Sequence, residues 1–160
     1  MEYWKPNTTV AAVVERDGRL LMVEERTSQG VRINQPAGHL DPGESLASAV
    51  VRETLEETGH HVEPVALLGI YLSRYLNESS GIDVTYLRIA FLCRPVSHDP
   101  ERRLDAAILR PLWMSPTEIV AARARHRSPL VERTLADFIA GRRFPLDLVF
   151  THPSAVYGAA

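Results

Sequence analysis

The chain has 160 residues, of which 45% are hydrophobic and 24% charged, and this composition is typical of a soluble globular protein with one core, so we expect residues 1–160 to form a single domain. The formal net charge of −2 gives no electrostatic reason to expect nucleic acid or an anionic membrane as a partner. The single cysteine, Cys93, excludes an internal disulfide, and the lack of a signal peptide or long apolar run indicates a cytoplasmic protein.

The first forty residues predict strands joined by turns. Residues 8–14 are rich in β-branched side chains, residues 20–23 are apolar, and Asp17-Gly18 between them is a turn signal, so this stretch predicts a β-hairpin. Residues 31–33 predict a further short strand. Residues 34–38 contain a proline and a glycine and predict a turn.

A helix is predicted from the N-cap Ser45 to Thr58, because Gly59 is a typical helix stop. Its three glutamates, at positions 53, 56 and 57, fall within about 100° of arc on a regular helix. The opposite side carries the residues that we expect to pack against the core, which are Ala47, Val51, Thr54, Leu55 and Thr58.

The acidic face of this helix is unfavourable by itself. Like charges three and four residues apart repel by roughly 0.2–0.5 kcal/mol per pair, and the negative end of the helix dipole adds to the repulsion. Arg52 offsets only part of this charge. Because hard divalent cations bind clustered carboxylate oxygens, we predict that Glu53, Glu56 and Glu57 form a metal site facing a phosphate. A solvated helix face is the alternative.

A long hairpin is predicted in the middle of the chain. Residues 62–76 form either one long strand or two shorter ones, residues 77–81 are a polar turn, and residues 82–92 form the returning strand. Both faces of the returning strand appear apolar in sequence, with Thr85, Leu87, Ile89, Phe91 and Cys93 on one face and Val84, Tyr86, Arg88, Ala90 and Leu92 on the other. Arg88 is therefore a guanidinium in a strand that is otherwise typical of an interior.

An unpaired charge at Arg88 would be costly, so it needs an anionic partner. One alternative is an internal salt bridge to a glutamate, including one of the acidic cluster. The other is direct contact with a substrate phosphate, whose geometry arginine matches in bidentate fashion. Arg74, near the hairpin turn, and Arg32, just before residues 34–38, are further candidates for substrate contact.

The last third predicts one strand and two helices. Residues 98–103 form a charged connection, and residues 109–114 predict a strand. Ser115-Pro116-Thr117-Glu118 is typical of a helix start. The final helix is predicted with Ser128 as its cap and Pro129 at its first position, and it ends at Gly141. Together these elements predict an α/β fold, a mixed sheet with helices on both sides.

The segment from Gly38 to His60 carries a motif with fixed spacing. Its matching residues are Gly38, Glu44, Arg52, Glu53, Glu56, Glu57 and Gly59. The spacing resembles the Nudix box, from which the chain departs at two apolar positions, occupied here by Thr54 and His60. Residues 34–40, 127–131 and 141–146 are similar to segments of the bacterial NudJ phosphatases. The chain thus resembles Nudix hydrolases over nearly its full length.

The resemblance implies a Nudix-type α/β/α sandwich with a mixed β-sheet. It also implies hydrolysis of phosphoanhydride bonds, dependent on Mg²⁺ or alternatively Mn²⁺, in nucleoside di- and triphosphates or related pyrophosphates such as hydroxymethylpyrimidine pyrophosphate. The expected partner is a small-molecule nucleotide or pyrophosphate, bound by a monomer or a homodimer. A non-catalytic nucleotide-binding or sensing module with the same fold is the alternative, which the intact glutamates disfavour.

The resemblance also implies roles for individual residues. Glu53, Glu56 and Glu57 are expected to bind the metal with the Gly38 carbonyl, and either Glu53 or Glu56 to accept a proton from the attacking water. Arg52 is expected to orient the glutamates.

Three further candidates follow from the same resemblance. Glu44 is expected to support the loop before the helix, and Asn34 joins the arginines as a candidate substrate contact. Many family members place an acid six residues before the tryptophan corresponding to Trp113. That position is Ala107, which leaves Asp105 as the candidate for a further ligand or base.

Overall fold

The computed structural model describes residues 3–158. The strands are β1 (Asn7–Arg16), β2 (Arg19–Thr27), β3 (Gly30–Asn34), β4 (Ala37–His39), β5 (His60–Asn77), β6 (Ile82–His98) and β7 (Ile108–Met114). The helices are α1 (Leu46–Thr58), α2 (Pro116–Ala121) and α3 (Leu130–Ile139), with short 3₁₀ turns at residues 123–125, 146–148 and 153–155. The predicted mixed α/β fold is confirmed.

The sheet is centred on β1. Its strand order is β3-β2-β1-β6-β5, with β4 also paired to β1 and β7 to β2. The pair β1–β6 is parallel, while β1–β2, β2–β3 and β5–β6 are antiparallel. One parallel pair among antiparallel neighbours makes the sheet mixed, and the long β5–β6 hairpin matches the sequence prediction.

Strand β1 is buried on both of its faces, which explains its nearly continuous apolar sequence. Val10, Ala12 and Val14 pack in one core cluster with Ala49 and Val50 of α1. The intervening Ala11 and Val13 belong to a second cluster with residues of α2 and α3, which are Ile119, Leu130, Val131 and Leu135. The two clusters confirm that helices cover both sides of the sheet.

Helix α1 begins and ends as predicted. The Ser45 hydroxyl accepts a hydrogen bond from the Ser48 amide at 3.0 Å, which satisfies one of the free amides of the first turn. Gly59 ends the helix at φ 71° and donates its amide to the Leu55 carbonyl, a left-handed position that glycine adopts without strain.

The packing face of α1 differs from the prediction. Ala47 is exposed, and Val51 and Leu55 are only half-buried. The buried residues are Ala49, Val50, Glu53, Thr54, Glu57 and Thr58. The helix is therefore rotated so that two glutamates are buried, Glu57 hydrogen-bonded to the Ala37 amide of β4 and Glu53 packed against Gly38.

The two departures from the motif's apolar pattern are both accommodated in the interior. Thr54 is fully buried, and its hydroxyl donates to the Val50 carbonyl at 2.7 Å, so its polar group is satisfied locally. His60 is 5% exposed, and its ring stacks on His98 with 4.1 Å between centroids. Burial lowers the pKa of His60, which favours the neutral ring at this position.

Two smaller predictions are corrected. Residues 34–38 were expected to be a turn, but Ala37–His39 form β4, which pairs with Thr9–Ala11 of β1. The strand was missed because three residues are too few to show the alternation of polar and apolar side chains that identifies a strand. The N-cap residue of α3 is Pro129 rather than Ser128. The Ser128 hydroxyl still accepts a hydrogen bond from the Leu130 amide at 3.2 Å.

Among residues 3–158, no helix is both long and apolar enough to cross a bilayer.

Candidate active site

Arg52 is the centre of the hydrogen-bonding network around the acidic helix. Its guanidinium donates to both oxygens of Glu44, at 2.6 and 3.0 Å. The Nη1 atom also donates to Glu53 at 2.8 Å and to Glu56 at 3.0 Å, and Nη2 donates to the His39 carbonyl at 3.0 Å. One planar side chain thus fixes three carboxylates and the strand β4 relative to one another.

The same network sets the protonation of Glu44. Its hydrogen bonds from Arg52, aided by one from the Asp41 amide at 2.8 Å, lower the pKa of Glu44. Glu44 also raises the pKa of Arg52. Both groups are charged at neutral pH, so Glu44 holds the loop before α1 through a lasting ion pair, as the resemblance implies.

Gly38 lies against the carboxylate of Glu53. A Cβ built on Gly38 would lie 2.1 Å from the Glu53 carboxyl carbon and from Oε2, far inside van der Waals contact. The backbone of Gly38 is not in the left-handed region, so the need for glycine here is steric. The motif's first glycine gives the inward-facing Glu53 its space.

Three carboxylates meet at the end of α1. Glu53, Glu56 and Asp105 each offer an oxygen, and these oxygens lie within 4.8 Å of one another. Asp105 belongs to the connection between β6 and β7, and its amide donates to the Glu56 carbonyl at 3.1 Å. The structure therefore brings the candidate Asp105 to the acidic cluster through a main-chain bond to the helix.

This donor set suits a hard divalent cation. Arg52 bonds to one oxygen each of Glu53 and Glu56, which leaves the second oxygen of each carboxylate for another partner. Burial raises the pKa of Glu53, although Arg52 opposes the shift, which is the effect expected of negative charge held in a poorly solvated place. Oxygen ligands from carboxylates are those that Mg²⁺ prefers.

Glu57 lies apart from this group of three. It is 8% exposed, and its Oε2 accepts a hydrogen bond from the Ala37 amide at 2.9 Å. Burial raises the pKa of Glu57 to about 8, opposed by the Ala37 hydrogen bond. In this geometry Glu57 ties α1 to β4 and lines the cleft beside the three-carboxylate group.

A cleft of about 570 Å³ opens beside these carboxylates. It is lined by Gly38, Glu53, Glu57 and Asp105 of the acidic region and by Asn34, Tyr75, Tyr86 and three arginines, Arg74, Arg88 and Arg127. Its volume lies in the range of small-molecule sites, roughly 300–1,000 Å³. The cleft thus places negative and positive side chains around a space of substrate size.

Arg88 is buried in this cleft without a salt bridge, one of the two alternatives that the sequence left open. It is 7% exposed, and within residues 3–158 no carboxylate lies within 4.0 Å of its guanidinium. It donates instead to the side-chain oxygens of Asn34 at 3.3 Å and Gln35 at 3.4 Å. Burial lowers the pKa of Arg88 to about 10, so it is still protonated at neutral pH. Its hydrogen bonds go to neutral amides, while the negative charges of Glu25 and Glu57, beyond salt-bridge distance, oppose the lowering of its pKa.

The other candidate substrate contacts are placed less uniformly. Asn34 lines the cleft and bonds to Arg88. Arg74 lines it too, but both oxygens of Asp83 hold its guanidinium, at 2.7 and 2.8 Å. Arg32 lies outside the set of described cleft-lining residues and donates to its neighbour Val31 at 3.3 Å. Asn34 and Arg88 are thus the better placed of the four.

Sequence reasoning missed Glu25 and Arg127 as cleft residues. Glu25 belongs to an acidic pair at the end of β2, and Arg127 to an arginine-rich connection. Charged pairs of this kind are typical of solvated surfaces. Strand alternation is not a safe signal for Glu25, because the β2–β7 pairing shifts register between Glu24 and Glu25.

The sequence pattern of the NUDIX domain matches residues 5–135. The chain belongs to the Nudix family. This Nudix hydrolase is 35% identical over 147 residues to the phosphatase NudJ of Escherichia coli K12, an alignment that covers 91% of the chain and 92% of the relative. The NudJ of Shigella flexneri matches with the same values. The chain is therefore a NudJ-like Nudix enzyme.

Solved structures agree with this assignment. A NUDIX hydrolase from Nitrosomonas europaea is 49% identical and superposes with a TM-score of 0.85, covering 92% of this Nudix hydrolase and 98% of that chain. A UDP-X diphosphatase is 18% identical with a TM-score of 0.69, covering 91% of this chain and 68% of the other. The second similarity supports the fold alone.

Proposed function

We propose that this Nudix hydrolase is a Mg²⁺-dependent enzyme, with Mn²⁺ as the alternative ion. Its proposed reaction is hydrolysis of phosphoanhydride bonds in nucleoside di- and triphosphates or related pyrophosphates such as hydroxymethylpyrimidine pyrophosphate. The observation that carries the proposal is the convergence of Glu53, Glu56 and Asp105 beside a 570 Å³ cleft. Clustered carboxylates facing buried cationic groups suit a metal-bound phosphate.

The metal would be held by Glu53, Glu56 and Asp105, and the motif assigns Glu57 and the Gly38 carbonyl to the same ion. A bound divalent ion neutralises phosphate oxygens and lowers the pKa of its water. Arg52 fixes the carboxylates through the bonds described above, and Glu44 fixes Arg52.

The proton of the attacking water would go to Glu53 or Glu56. Both carboxylates belong to the cluster of three, and each has one oxygen bonded to Arg52. An oxygen not bonded to Arg52 is free to accept this proton. Such general-base assistance typically contributes about 10²–10⁴-fold to a reaction rate.

The rest of the cleft suits the phosphate and organic parts of a substrate. Arg88 is a buried cation hydrogen-bonded to two neutral amides, so a phosphate oxygen would be a stronger partner for it, and Asn34 lies beside it. Tyr75 and Tyr86 line the same cleft, and aromatic rings of this kind stack on heterocycles. The relatives named phosphatase NudJ support a phosphorylated small molecule as the substrate class.

The experiment is a substrate panel. Purified protein with Mg²⁺ is incubated with nucleoside di- and triphosphates and with hydroxymethylpyrimidine pyrophosphate, and released phosphate and pyrophosphate are measured separately. We expect turnover that is lost with a chelator and falls by roughly 10²-fold or more in Glu56→Gln. No turnover on any panel member, together with nucleotide binding, would favour the non-catalytic sensing module instead.

A further inference from the structure

Two adjacent glutamates of β2 have contrasting environments. Glu24 accepts hydrogen bonds from Arg110 Nε at 2.7 Å and from Arg125 Nη1 at 3.0 Å. These bonds lower the pKa of Glu24. The carboxylate of Glu24 is therefore paired with two arginines, and Glu24 is not among the described cleft-lining residues.

Glu25 is on the cleft side and lacks such compensation. Its Oε1 is buried and receives no hydrogen bond from the described part of the chain. The Nε of Arg127 lies 3.4 Å from this oxygen, close enough for an ion pair but not in hydrogen-bonding geometry. Burial raises the pKa of Glu25, although Arg127, the Asn34 side chain and Arg88 oppose the shift. A buried carboxylate oxygen without a hydrogen-bond donor is rare in native structures, so this one calls for a functional explanation.

Of the three arginines that line the cleft, Arg127 is the one whose guanidinium donates no hydrogen bond to residues 3–158, although it is paired with Glu25. Asp83 holds Arg74 in bidentate fashion, and Arg88 is buried against two amides. The Arg127 side chain is 41% exposed. Its backbone is nevertheless anchored, since its amide donates to the Ile33 carbonyl at 2.9 Å.

We propose that Arg127 is a phosphate-binding arm of the cleft and that Glu25 is the residue that positions it. An arginine presents its five donors in a planar fork. Glu25 faces the Nε side of that fork, so the two Nη groups are left for a substrate oxygen pair, which arginine binds in bidentate fashion. This inference rests on the proposed function, and it adds to the cleft a substrate contact and a specificity determinant outside the Nudix box.

The first experiment compares Arg127→Ala with Arg125→Ala in steady-state kinetics. The second variant is a matched control because Arg125 comes from the same connection but pairs with Glu24, and neither residue is among the described residues that line the cleft. We expect Arg127→Ala to raise KM by roughly 10- to 100-fold, the loss of hydrogen bonds to a charged group, while kcat changes much less. Arg127→Lys should recover part of the affinity, since it keeps the charge but not the fork.

The positioning role of Glu25 requires a different readout. We expect Glu25→Gln to raise KM less than Arg127→Ala does. The double variant should bind no worse than Arg127→Ala alone, because removing the positioned arginine removes the effect of its support. Additive losses in this cycle would contradict a positioning role for Glu25.

Two failures must be told apart. If the wild-type protein hydrolyses nothing in the panel, the proposed function fails. The inference is then tested by calorimetric titration with inorganic pyrophosphate in the presence of Mg²⁺, in which Arg127→Ala should weaken binding at least about tenfold relative to Arg125→Ala. If Arg127→Ala and Arg125→Ala behave alike in both the kinetic and the calorimetric measurement, the phosphate-binding role of Arg127 is wrong.

Discussion

Gly38 lies directly against the carboxylate of Glu53, so close that a Cβ on Gly38 would lie 2.1 Å from the Glu53 carboxyl carbon. Any other residue at position 38 must displace that carboxylate or move β4. A displacement of about 1 Å at a catalytic group can cost about 10²-fold in rate. The glycine is thus a steric requirement of the acidic cluster.

Gly38→Ala should therefore lower kcat/KM by roughly 100-fold while the protein remains folded. The kinetic constants and a thermal melt check this together. Gly18→Ala is the control, because Gly18 lies in the β1–β2 turn with open space around it. It should lose some stability from its positive φ of 74° and retain activity. Normal activity in Gly38→Ala would contradict the steric argument.

Arg52→Lys should weaken binding of the metal although the charge is kept. A lysine ammonium cannot reproduce two bonds to Glu44 together with bonds to Glu53 and Glu56. Loss of groups that orient metal ligands typically costs about 10–100-fold in metal affinity or activity. Titration with Mn²⁺, followed by electron paramagnetic resonance, measures the affinity directly. An unchanged dissociation constant for Mn²⁺ would show that the carboxylates bind the metal without being oriented by the Arg52 guanidinium.

Asp105→Asn should reduce metal affinity and kcat, because Asp105 completes the group formed with Glu53 and Glu56. We expect a loss of about tenfold or more. Asp99→Asn is the matched control, since Asp99 is an exposed acid at the start of the same connection and bonds to the Glu101 amide. Equal behaviour of the two variants would remove Asp105 from the proposed ligand set.

Glu24 should make the stability of the protein depend on acid pH. Its pKa in the folded state is depressed by hydrogen bonds from Arg110 and Arg125. A depressed pKa stabilises the folded state above the ordinary glutamate pKa of about 4.3, and that stability is lost as pH falls through and below this value.

Urea unfolding of wild type and Glu24→Gln at several pH values checks this. At pH 7 the variant should be less stable by roughly 1–3 kcal/mol, and the difference should shrink below pH 4. A difference that does not vary with pH would mean that the pair stabilises through packing rather than charge.

The local features of this chain were accessible from sequence. Ser45 and Gly59 bound α1 because caps act within one turn of the helix. The grouping of Glu53, Glu56 and Glu57 was accessible because they share one helix. Strand alternation likewise identified the two apolar faces of β6.

The features that were missed depend on tertiary register. Arg88 lies opposite Thr9 on β1 and Tyr71 on β5, and this register leaves it beside amides rather than a glutamate. The burial of Glu53 and Glu57 depends on how α1 is rotated about its axis over β4. The apolar residues of the helix do not predict this rotation, because its buried face also carries polar residues. Arg127 reaches the cleft because its amide bonds to Ile33, 94 positions earlier in the chain.

The bond from the Asp105 amide to the Glu56 carbonyl joins the β6–β7 connection to the end of α1 through main-chain atoms alone. This hydrogen bond does not involve the side chain of residue 105. A substitution at that position can therefore change the side chain and keep the bond. The proposed metal-binding role of residue 105 can therefore be varied with longer, shorter or neutral side chains while the main-chain bond to α1 is kept.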